Sequence, residues 1–326
     1  MHKRKLIQVV ALLLVLSCVG RVLPAEVGAQ GRDVRVPVVV IDKEGKVYGN
    51  LPPSAFRLYE DDRLQEITGF ESLDSPLSVL LLLEYSRVSQ YLLTAILRPA
   101  AIFVTQVMQP GDYAAVVAFD VRPRVLQDFT RQRQALLNTV DMLDRSVPAS
   151  SESNLFDAIA FSLQGGELEG VEYGGLTGVK GRTGLIVVAT GIDTFSRVNF
   201  DQARRIAANS GVPIYSVGVG ELAFIRAEPY LGGLQRMTYL QARNSLETLS
   251  RESGGRCYLV RFEGALDDVL ESIGAMLRLQ YALTYRSSAQ GGSRRSIRVE
   301  VDIDGDGQPD NDRLDLQHRR YYYPER

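Results

Sequence analysis

Oxygen-bearing side chains follow an apolar run near residue 80. Glu84, Ser86 and Ser89 come directly after the run Ser78–Leu83, which has the composition of a buried strand. Carboxylate and hydroxyl oxygens are the ligands that hard cations such as magnesium and calcium prefer. An acidic residue followed two positions later by a hydroxyl therefore indicates a cation site at the end of a strand.

Two later segments carry similar groups. Ser153 ends a hydroxyl-rich segment just before a helical pattern, and Thr190 and Asp193 follow the apolar run 184–189. In doubly wound sheets the ligand site lies beyond the carboxyl ends of the strands, at the point where the strand order reverses. We therefore expect these segments to converge with Glu84 in one crevice.

A second group of oxygens lies near the C-terminus, in the pattern D-x-D-x-D-G-x-x-D-x-D. Its members are Asp302, Asp304, Asp306, Asp310 and Asp312. Alternate carboxylates followed by glycine resemble the first half of an EF-hand loop, and their mutual repulsion favours a bound cation. The twelfth position is Arg313 instead of a bidentate glutamate, which excludes a normal EF-hand. We expect a calcium loop that stiffens a hairpin, and the alternative is an acidic turn without an ion.

Residues for covalent or acid–base catalysis are few. Of the two histidines, His2 belongs to the N-terminal segment, and His318 stands in a strand-like run among arginines and tyrosines. Cys257 lies in an apolar run and is expected to be a small buried hydrophobe. We predict a protein without enzymatic activity. The alternative is a metal-dependent hydrolase that uses the oxygens around Glu84.

The elements that must position these groups alternate between strand and helix. After Pro76, apolar runs of strand length alternate with helical patterns, which is typical of a mostly parallel sheet with helices on both faces. The segments before Pro76 and after Gln280 have the pattern of strands separated by glycine-bearing or acidic turns. The predicted fold is α/β, Rossmann-like and doubly wound, with a small antiparallel β subdomain in which the N- and C-terminal strands pair in one sheet.

The predicted organisation has four parts. They are a signal peptide over 1–29, a β segment over 33–75, an α/β domain over 76–280 and a β segment with the acidic hairpin over 281–326. A basic start followed by a short apolar run is typical of an export signal. Cleavage before Gln30 is favoured over a lipid anchor at Cys18, because Leu16 is large for its place in a lipobox. We expect a periplasmic, secreted or cell-surface protein with no transmembrane span after signal removal.

Composition limits the class of partner. The chain has 326 residues, a formal net charge of -2 and no long basic run beyond its start. It therefore lacks the electrostatic footprint of a nucleic-acid-binding protein. Once Cys18 leaves with the signal, Cys257 has no cysteine with which to form an internal disulfide. An exported domain of this kind must be stabilised by its hydrophobic core.

Together these segments resemble the von Willebrand factor A domain family, in particular bacterial exported proteins of the VWFA-related acidobacterial type. The resemblance covers nearly the whole mature chain through short motifs such as DYAAVVAFD, IYSVGVGE and the terminal YYYP. It implies a Rossmann-type sheet with a metal-ion-dependent adhesion site, in which an Asp-x-Ser-x-Ser loop, a Thr and an Asp hold magnesium or manganese. It also implies that an acidic group of a protein partner completes the coordination.

The resemblance places Glu84 at the first Asp, Ser86 at the first Ser and Val88 at the second Ser. Ser153 falls at the Thr, and Thr190 falls at the last Asp. Magnesium demands near-ideal octahedral geometry, so a longer carboxylate and the oxygens lost at Val88 and Thr190 should weaken binding severely. The prediction is a degenerate adhesion site with little affinity for magnesium or manganese.

The predicted function is a non-enzymatic, exported, adhesion-type module of the cell envelope. It would bind an unknown protein partner at the C-terminal edge of the sheet. A further alternative is a structural envelope protein in which the adhesion site is vestigial. The stretch Phe224–Ala242 is expected to be an amphipathic helix packed on the sheet, and the alternative is that it forms part of a partner surface.

Overall fold

The computed structural model describes residues 31–324 except 72 and 74, so the predicted signal peptide and Cys18 lie outside it. The strands are β1 (Arg32–Asp42), β2 (Phe56–Glu60), β3 (Arg63–Gln65), β4 (Ile67–Glu71), β5 (Leu77–Glu84), β6 (Tyr113–Phe119), β7 (Pro123–Thr130), β8 (Gly165–Leu168), β9 (Val171–Gly174), β10 (Arg182–Ala189), β11 (Ile214–Gly218), β12 (Cys257–Leu259), β13 (Gln280–Ser287), β14 (Arg295–Val301), β15 (Leu314–His318) and β16 (Tyr321–Tyr322). The helices are α1 (Leu93–Ile102), α2 (Arg133–Asp144), α3 (Leu155–Gln164), α4 (Phe200–Ser210), α5 (Gly220–Ala227), α6 (Gly233–Ser253) and α7 (Leu266–Arg278). None of the helices in the described part of the chain is both long and apolar enough to cross a membrane.

The central sheet has six strands in the order β12-β11-β10-β5-β6-β7. Neighbouring strands are parallel except at the edge strand β7, which runs antiparallel to β6. Numbered within the sheet, this order is the 3-2-1-4-5-6 arrangement of doubly wound sheets. The order reverses between β5 and β10, so the expected ligand crevice lies beyond the carboxyl ends of these strands.

The sequence of β5 explains why this sheet is covered on both faces. Val79, Leu81 and Leu83 pack in one core with α1, α2 and α7, whereas Leu80 and Leu82 pack in a second core with α3, α4 and α6. Every residue of β5 is buried. Because successive side chains of a strand point to opposite faces, burial on both faces requires a continuous apolar run.

The N- and C-terminal strands form a β sandwich. One four-stranded sheet has the order β15-β1-β13-β4, and the other has the order β16-β14-β2-β3. β1 pairs antiparallel with β13 and β15, and β2 pairs antiparallel with β14. Val36, Leu58, Leu283 and Val299 are buried between the two sheets. The predicted fold class is confirmed, including the antiparallel subdomain built from both ends of the chain.

The expectation of one terminal sheet is wrong, and so is the expectation of an acidic hairpin. β14 and β15 flank the acidic loop but belong to different sheets of the sandwich. Buried and less buried residues alternate along β14, as in β2, so their sheet has one apolar face that must be covered. The second sheet provides that cover, and the acidic loop carries the chain from one sheet to the other.

One buried arginine joins the two places where the chain crosses between the sandwich and the central domain. Arg182, the first residue of β10, is 2% exposed. Its guanidinium donates hydrogen bonds to the carbonyl of Ser75 at 2.7 and 3.0 Å and to the carbonyl of Arg278 at 2.6 Å. Ser75 precedes β5, and Arg278 ends α7. The same cation therefore binds the chain where it enters and where it leaves the central domain.

Replacement of Arg182 by methionine should lower the free energy of unfolding by on the order of 3 kcal/mol, because buried carbonyls lose their donor. Urea unfolding followed by circular dichroism measures this change. Arg122→Met is the matched control, since Arg122 and its partner Glu169 have side chains that are 64% and 78% exposed. The control should change the free energy by less than about 1 kcal/mol. Equal losses in the two variants would contradict the role assigned to Arg182.

Candidate functional site

Glu84 is the centre of a buried polar cluster at the end of β5. The residue is 1% exposed. Its Oε2 accepts hydrogen bonds from the backbone N–H of Thr190 at 2.7 Å and from the Thr190 hydroxyl at 2.8 Å, and its Oε1 accepts one from Ser86 Oγ at 3.2 Å. Protein donors thus occupy three of the roughly four lone-pair sites of the carboxyl group. The structure brings Glu84, Ser86 and Thr190 together at the point where the strand order reverses.

The ionisation of Glu84 is shifted by its surroundings. Burial raises the pKa of the Glu84 carboxyl above its ordinary value, and the hydrogen bonds from Thr190 and Ser86 offset only part of this effect. Removal from water disfavours the charged form of a carboxyl group. The cluster therefore favours a neutral Glu84 over a wider range of pH than a solvated glutamate would.

The loop after β5 turns Ser89 inward and Val88 outward. Val88 is 50% exposed, whereas Ser89 is buried and its Oγ lies 3.0 Å from Ser86 Oγ. The backbone N–H of Ser89 also donates to the Ser86 carbonyl at 3.2 Å, which closes a tight turn. The sequence groups Ser89 with Glu84 and Ser86, whereas the resemblance places Val88 at the second Ser, one residue earlier. The turn brings the Ser89 hydroxyl into the cluster. The sequence signal for this contact was the presence of a hydroxyl three residues after Ser86.

Ser153 and Asp193 lie on two loops that bind each other beside the loop after β5. The backbone N–H of Ser153 donates to Thr194 Oγ1 at 2.9 Å, while the Ser153 hydroxyl is buried and has no hydrogen-bond partner among the residues described. Asp193 Oδ1 accepts hydrogen bonds from the backbone N–H of Phe156 at 3.1 Å and from the Ser196 hydroxyl at 2.5 Å. Asp193 thus caps the start of α3, in the way that helix-capping carboxylates do.

The residues around Glu84 do not fit a magnesium or manganese ion. The Thr190 N–H and hydroxyl occupy both lone pairs of Glu84 Oε2, and the side chain of Val88 has no oxygen and points to solvent. A divalent cation would have to displace these hydrogen bonds and ionise a carboxyl whose pKa is raised. In this arrangement the Glu84 carboxyl group is bound by the protein donors of Thr190 and Ser86.

Three of the five acidic residues predicted near the C-terminus come together. Oxygens of this group lie within 4.8 Å of one another, and its members are Asp302, Asp304 and Asp310. Asp306 and Asp312 are not part of the group. The backbone N–H groups of Gly305 and Gly307 donate to Asp302 at 2.7 and 2.8 Å, and both glycines have positive φ angles. The loop therefore wraps around the Asp302 carboxylate.

Arg313 places a positive charge inside the acidic group. Its guanidinium donates to Asp310 and, at 3.1 Å, to Asp304 Oδ2. This interaction lowers the pKa of the Asp310 carboxyl below its ordinary value. A calcium ion would find three carboxylates here, but it would compete with Arg313 for two of them. Sequence reasoning noted Arg313 only as a missing ligand, although its spacing of three residues from Asp310 was a signal for an ion pair.

The two residues most often used in covalent or acid–base catalysis are in unreactive surroundings. Burial lowers the pKa of His318 to about 4 and raises the pKa of the Cys257 thiol to about 12. Near neutral pH the imidazole is therefore neutral and the thiol is protonated. A reactive cysteine needs the thiolate form, which this environment opposes.

Replacement of Glu84 by glutamine tests the neutral state of the carboxyl. A folded-state pKa raised above the unfolded value gives a stabilising contribution at low pH, and this contribution is lost as the pH rises through the folded pKa. Relative to the wild type, Glu84→Gln should therefore become more stable as the pH rises above about 4.5, the ordinary glutamate value. Urea unfolding at a series of pH values measures this difference.

Glu84→Ala is the control for that experiment. It leaves the N–H and hydroxyl of Thr190 without their acceptor, so at every pH its free energy of unfolding should be about 1–3 kcal/mol lower than that of Glu84→Gln. A glutamine variant that loses stability relative to the wild type as the pH rises would show that the carboxylate form is the favoured one.

The solved structures that are similar to this chain share little sequence with it. No protein-family model matches the chain, and no curated protein matches it in sequence. A von Willebrand factor type A protein from Catenulispora acidiphila is 11% identical with a TM-score of 0.46, over 90% of this chain and 74% of its own. The von Willebrand factor domain of the type V pili tip protein Mfa5 from Porphyromonas gingivalis is 12% identical with a TM-score of 0.44, over 62% of this chain and 95% of its own.

A third similar structure is the PilB minor pilin from Streptococcus sanguinis. It is 10% identical with a TM-score of 0.44, over 67% of this chain, and the chain spans 64% of the length of that protein. The fold itself follows from the described topology, in which one antiparallel edge strand completes a parallel sheet of order 3-2-1-4-5-6. The central domain is a doubly wound, mostly parallel α/β sheet, with the Glu84 cluster at the carboxyl ends of β5 and β10.

Proposed function

We propose that this protein is a non-enzymatic, exported interaction module that binds a protein partner at the C-terminal edge of its central sheet without a bridging metal ion. The observation that carries the proposal is the state of Glu84. Its carboxyl group is buried, has a raised pKa and is bound by Thr190 and Ser86 at the place where a bridging cation would lie. Export rests on the signal-like sequence over 1–29.

A cavity beside Thr190 supplies a surface for the partner. Its volume is 280 Å³, and it lies between the loop after β10 and the helices α5 and α6. The lining residues are Tyr91, Thr190, Ile192, Gly220, Ala223, Phe224, Ala227, Leu231, Gln235, Thr238 and Tyr239. None of these side chains is charged. A cavity of this composition suits an apolar group of the partner better than the acidic group that a metal-bridged site would take.

Tyr239 adds a polar contact to this cavity. Its ring stacks on that of Phe224, with 3.9 Å between the ring centroids and 12° between the planes. Its hydroxyl is buried and has no hydrogen-bond partner in the described part of the chain. An unpaired buried hydroxyl is unfavourable, and a partner that binds it removes this penalty. We therefore propose that the partner contributes an apolar side chain and a hydrogen-bonding backbone group.

A metal-dependent hydrolase has less support. Hydrolysis at this cluster would require an ionised carboxylate to hold the ion or to activate water. The pKa of Glu84 is raised by burial, and Asp193 Oδ1 is bound by Phe156 and Ser196. A structural envelope protein would share the same buried cluster, and it would differ in having no partner at this edge.

Titration with magnesium or manganese chloride tests the absence of a bridging ion. We expect no saturable heat in calorimetry and no change in the thermal midpoint of unfolding, because Glu84 is already satisfied by protein donors. A saturable response that disappears in Glu84→Ala would instead establish metal-bridged adhesion.

Photo-crosslinking in the exporting cells tests the partner. A photoreactive phenylalanine analogue at Tyr91 should give discrete crosslinked species, because Tyr91 lines the cavity. The same analogue at Met142, which is 52% exposed on α2, is the control and should give none. If the analogue at Tyr91 also gives no crosslinks, the structural envelope protein is favoured.

We also propose that the acidic loop binds calcium, through Asp302, Asp304 and Asp310. Support comes from the approach of their oxygens to within 4.8 Å of one another. Arg313 competes with the ion through its ion pairs with Asp304 and Asp310. Together these ion pairs should lower the affinity for calcium about tenfold. We therefore expect Arg313→Gln to bind calcium about tenfold more tightly than the wild type.

Calorimetric titration with calcium chloride measures these affinities. Asp304→Asn should abolish binding, and Asp312→Asn is the matched control outside the group. The absence of binding in both the wild type and Arg313→Gln would overturn the calcium proposal.

A further inference from the structure

The loop 193–198 after β10 is fixed rigidly to the start of α3. The Asn154 side chain accepts a hydrogen bond from the backbone N–H of Phe195 at 3.0 Å and donates one to its carbonyl at 3.1 Å. The Asp157 carboxylate accepts from the backbone N–H groups of Arg197 at 3.1 Å and Val198 at 2.9 Å. Although its backbone is held in this way, the Phe195 side chain is 69% exposed. An exposed aromatic side chain on an immobilised loop loses little entropy on binding.

A groove lies beside this loop. Its volume is 320 Å³, and its wall includes Phe156, Ile192 and Phe200. The rings of Phe156 and Phe200 lie 5.6 Å apart. The charged residue of the wall is Asp193, which caps α3 through its Oδ1. The groove therefore offers an aromatic surface to an apolar side chain.

The first half of α6 forms the other wall of the groove and is not packed on the sheet. The buried residues of α6 begin at Ala242, so the expectation that the whole stretch Phe224–Ala242 packs on the sheet is wrong. Leu234 is 79% exposed and Met237 is 57% exposed. They stand seven and four residues before Gln241, which lines the groove, so helical spacing puts them on the same face.

Tyr230 and Leu240 extend this exposed apolar surface, at 88% and 58% exposure. Together with Phe195, Leu234 and Met237, they expose on the order of 700 Å² of surface, which is close to the roughly 800 Å² that each partner buries in a stable interface. Isolated exposed hydrophobic residues are ordinary, but a group of them beside one groove marks an interaction site.

We propose that this face binds a second copy of the chain. The face carries both a projecting aromatic side chain, Phe195, and an aromatic groove that begins two residues away at Asp193. A two-fold axis between two such faces brings each projection to the groove of the other copy, because every contact of a two-fold interface occurs twice. Phe195 of each copy then fills the groove of the other, and the α6 surfaces pack along the axis. Since projection and groove lie on one face, the assembly closes as a dimer.

This interface borders the cavity proposed for the protein partner, because Ile192 and Thr238 line both the groove and the cavity. Tyr239 and Tyr91 line the cavity on the other side of α6, whereas Gln241 and Asn244 line the groove. The inference does not rest on the proposed function, and the two are tested by different variants.

Sedimentation equilibrium of the exported chain over a hundredfold range of concentration tests the proposal. The wild type should show a concentration-dependent mass that approaches twice that of the monomer. Phe195→Ser and Met237→Glu should each raise the dissociation constant of the dimer at least tenfold, with unchanged circular dichroism, because both side chains are exposed. Tyr91→Ser is the matched control, since Tyr91 is also 69% exposed, and it should leave the dissociation constant unchanged.

Two results would overturn the proposal. One is a wild type that stays monomeric at every concentration. The other is a dimer whose dissociation constant is the same in Phe195→Ser, Met237→Glu and Tyr91→Ser, since that dimer would form through another surface.

Discussion

The pairing of β5 with β10 is the interaction on which the rest of the structure depends. These parallel strands meet where the strand order of the central sheet reverses. At the base of the pair, Arg182 binds the carbonyls of Ser75 and Arg278 and so fixes the central domain to the sandwich. At the top, Glu84 accepts both donors of Thr190. Both contacts are buried, and an unmade hydrogen bond there would leave polar groups without water or protein partners.

The length of the residue-84 side chain explains how this cluster is organised. Glutamate has one methylene more than the aspartate of the family that the sequence resembles, and its carboxyl group accepts a hydrogen bond from the Thr190 backbone N–H at 2.7 Å. Thr190 stands where the family has a carboxylate, and it donates to Glu84 through both its N–H and its hydroxyl. The two departures from the family pattern therefore complement each other, since one supplies an acceptor and the other supplies two donors. They join two strands through protein groups alone.

Local pattern was enough to predict the doubly wound sheet, because a continuous apolar run such as β5 between helical patterns fits few other folds. It was not enough to predict two terminal sheets, since the partner of β15 is decided by packing between distant segments. The place of Ser89 depends on the turn that follows Ser86, which spacing alone does not specify. The exposure of Leu234 was missed because the amphipathic pattern of α6 continues beyond the residues that reach the sheet.

The position of the sandwich has a mechanical consequence. Both described ends of the chain lie in the sandwich, which joins the central domain at the base of β5 and β10 through Arg182. The Glu84 cluster lies at the opposite ends of these strands. A force applied at the cluster and resisted at the sandwich runs parallel to β5 and β10. It is carried along the backbones of both strands, and at the base of β10 the hydrogen bonds of Arg182 pass it to the sandwich.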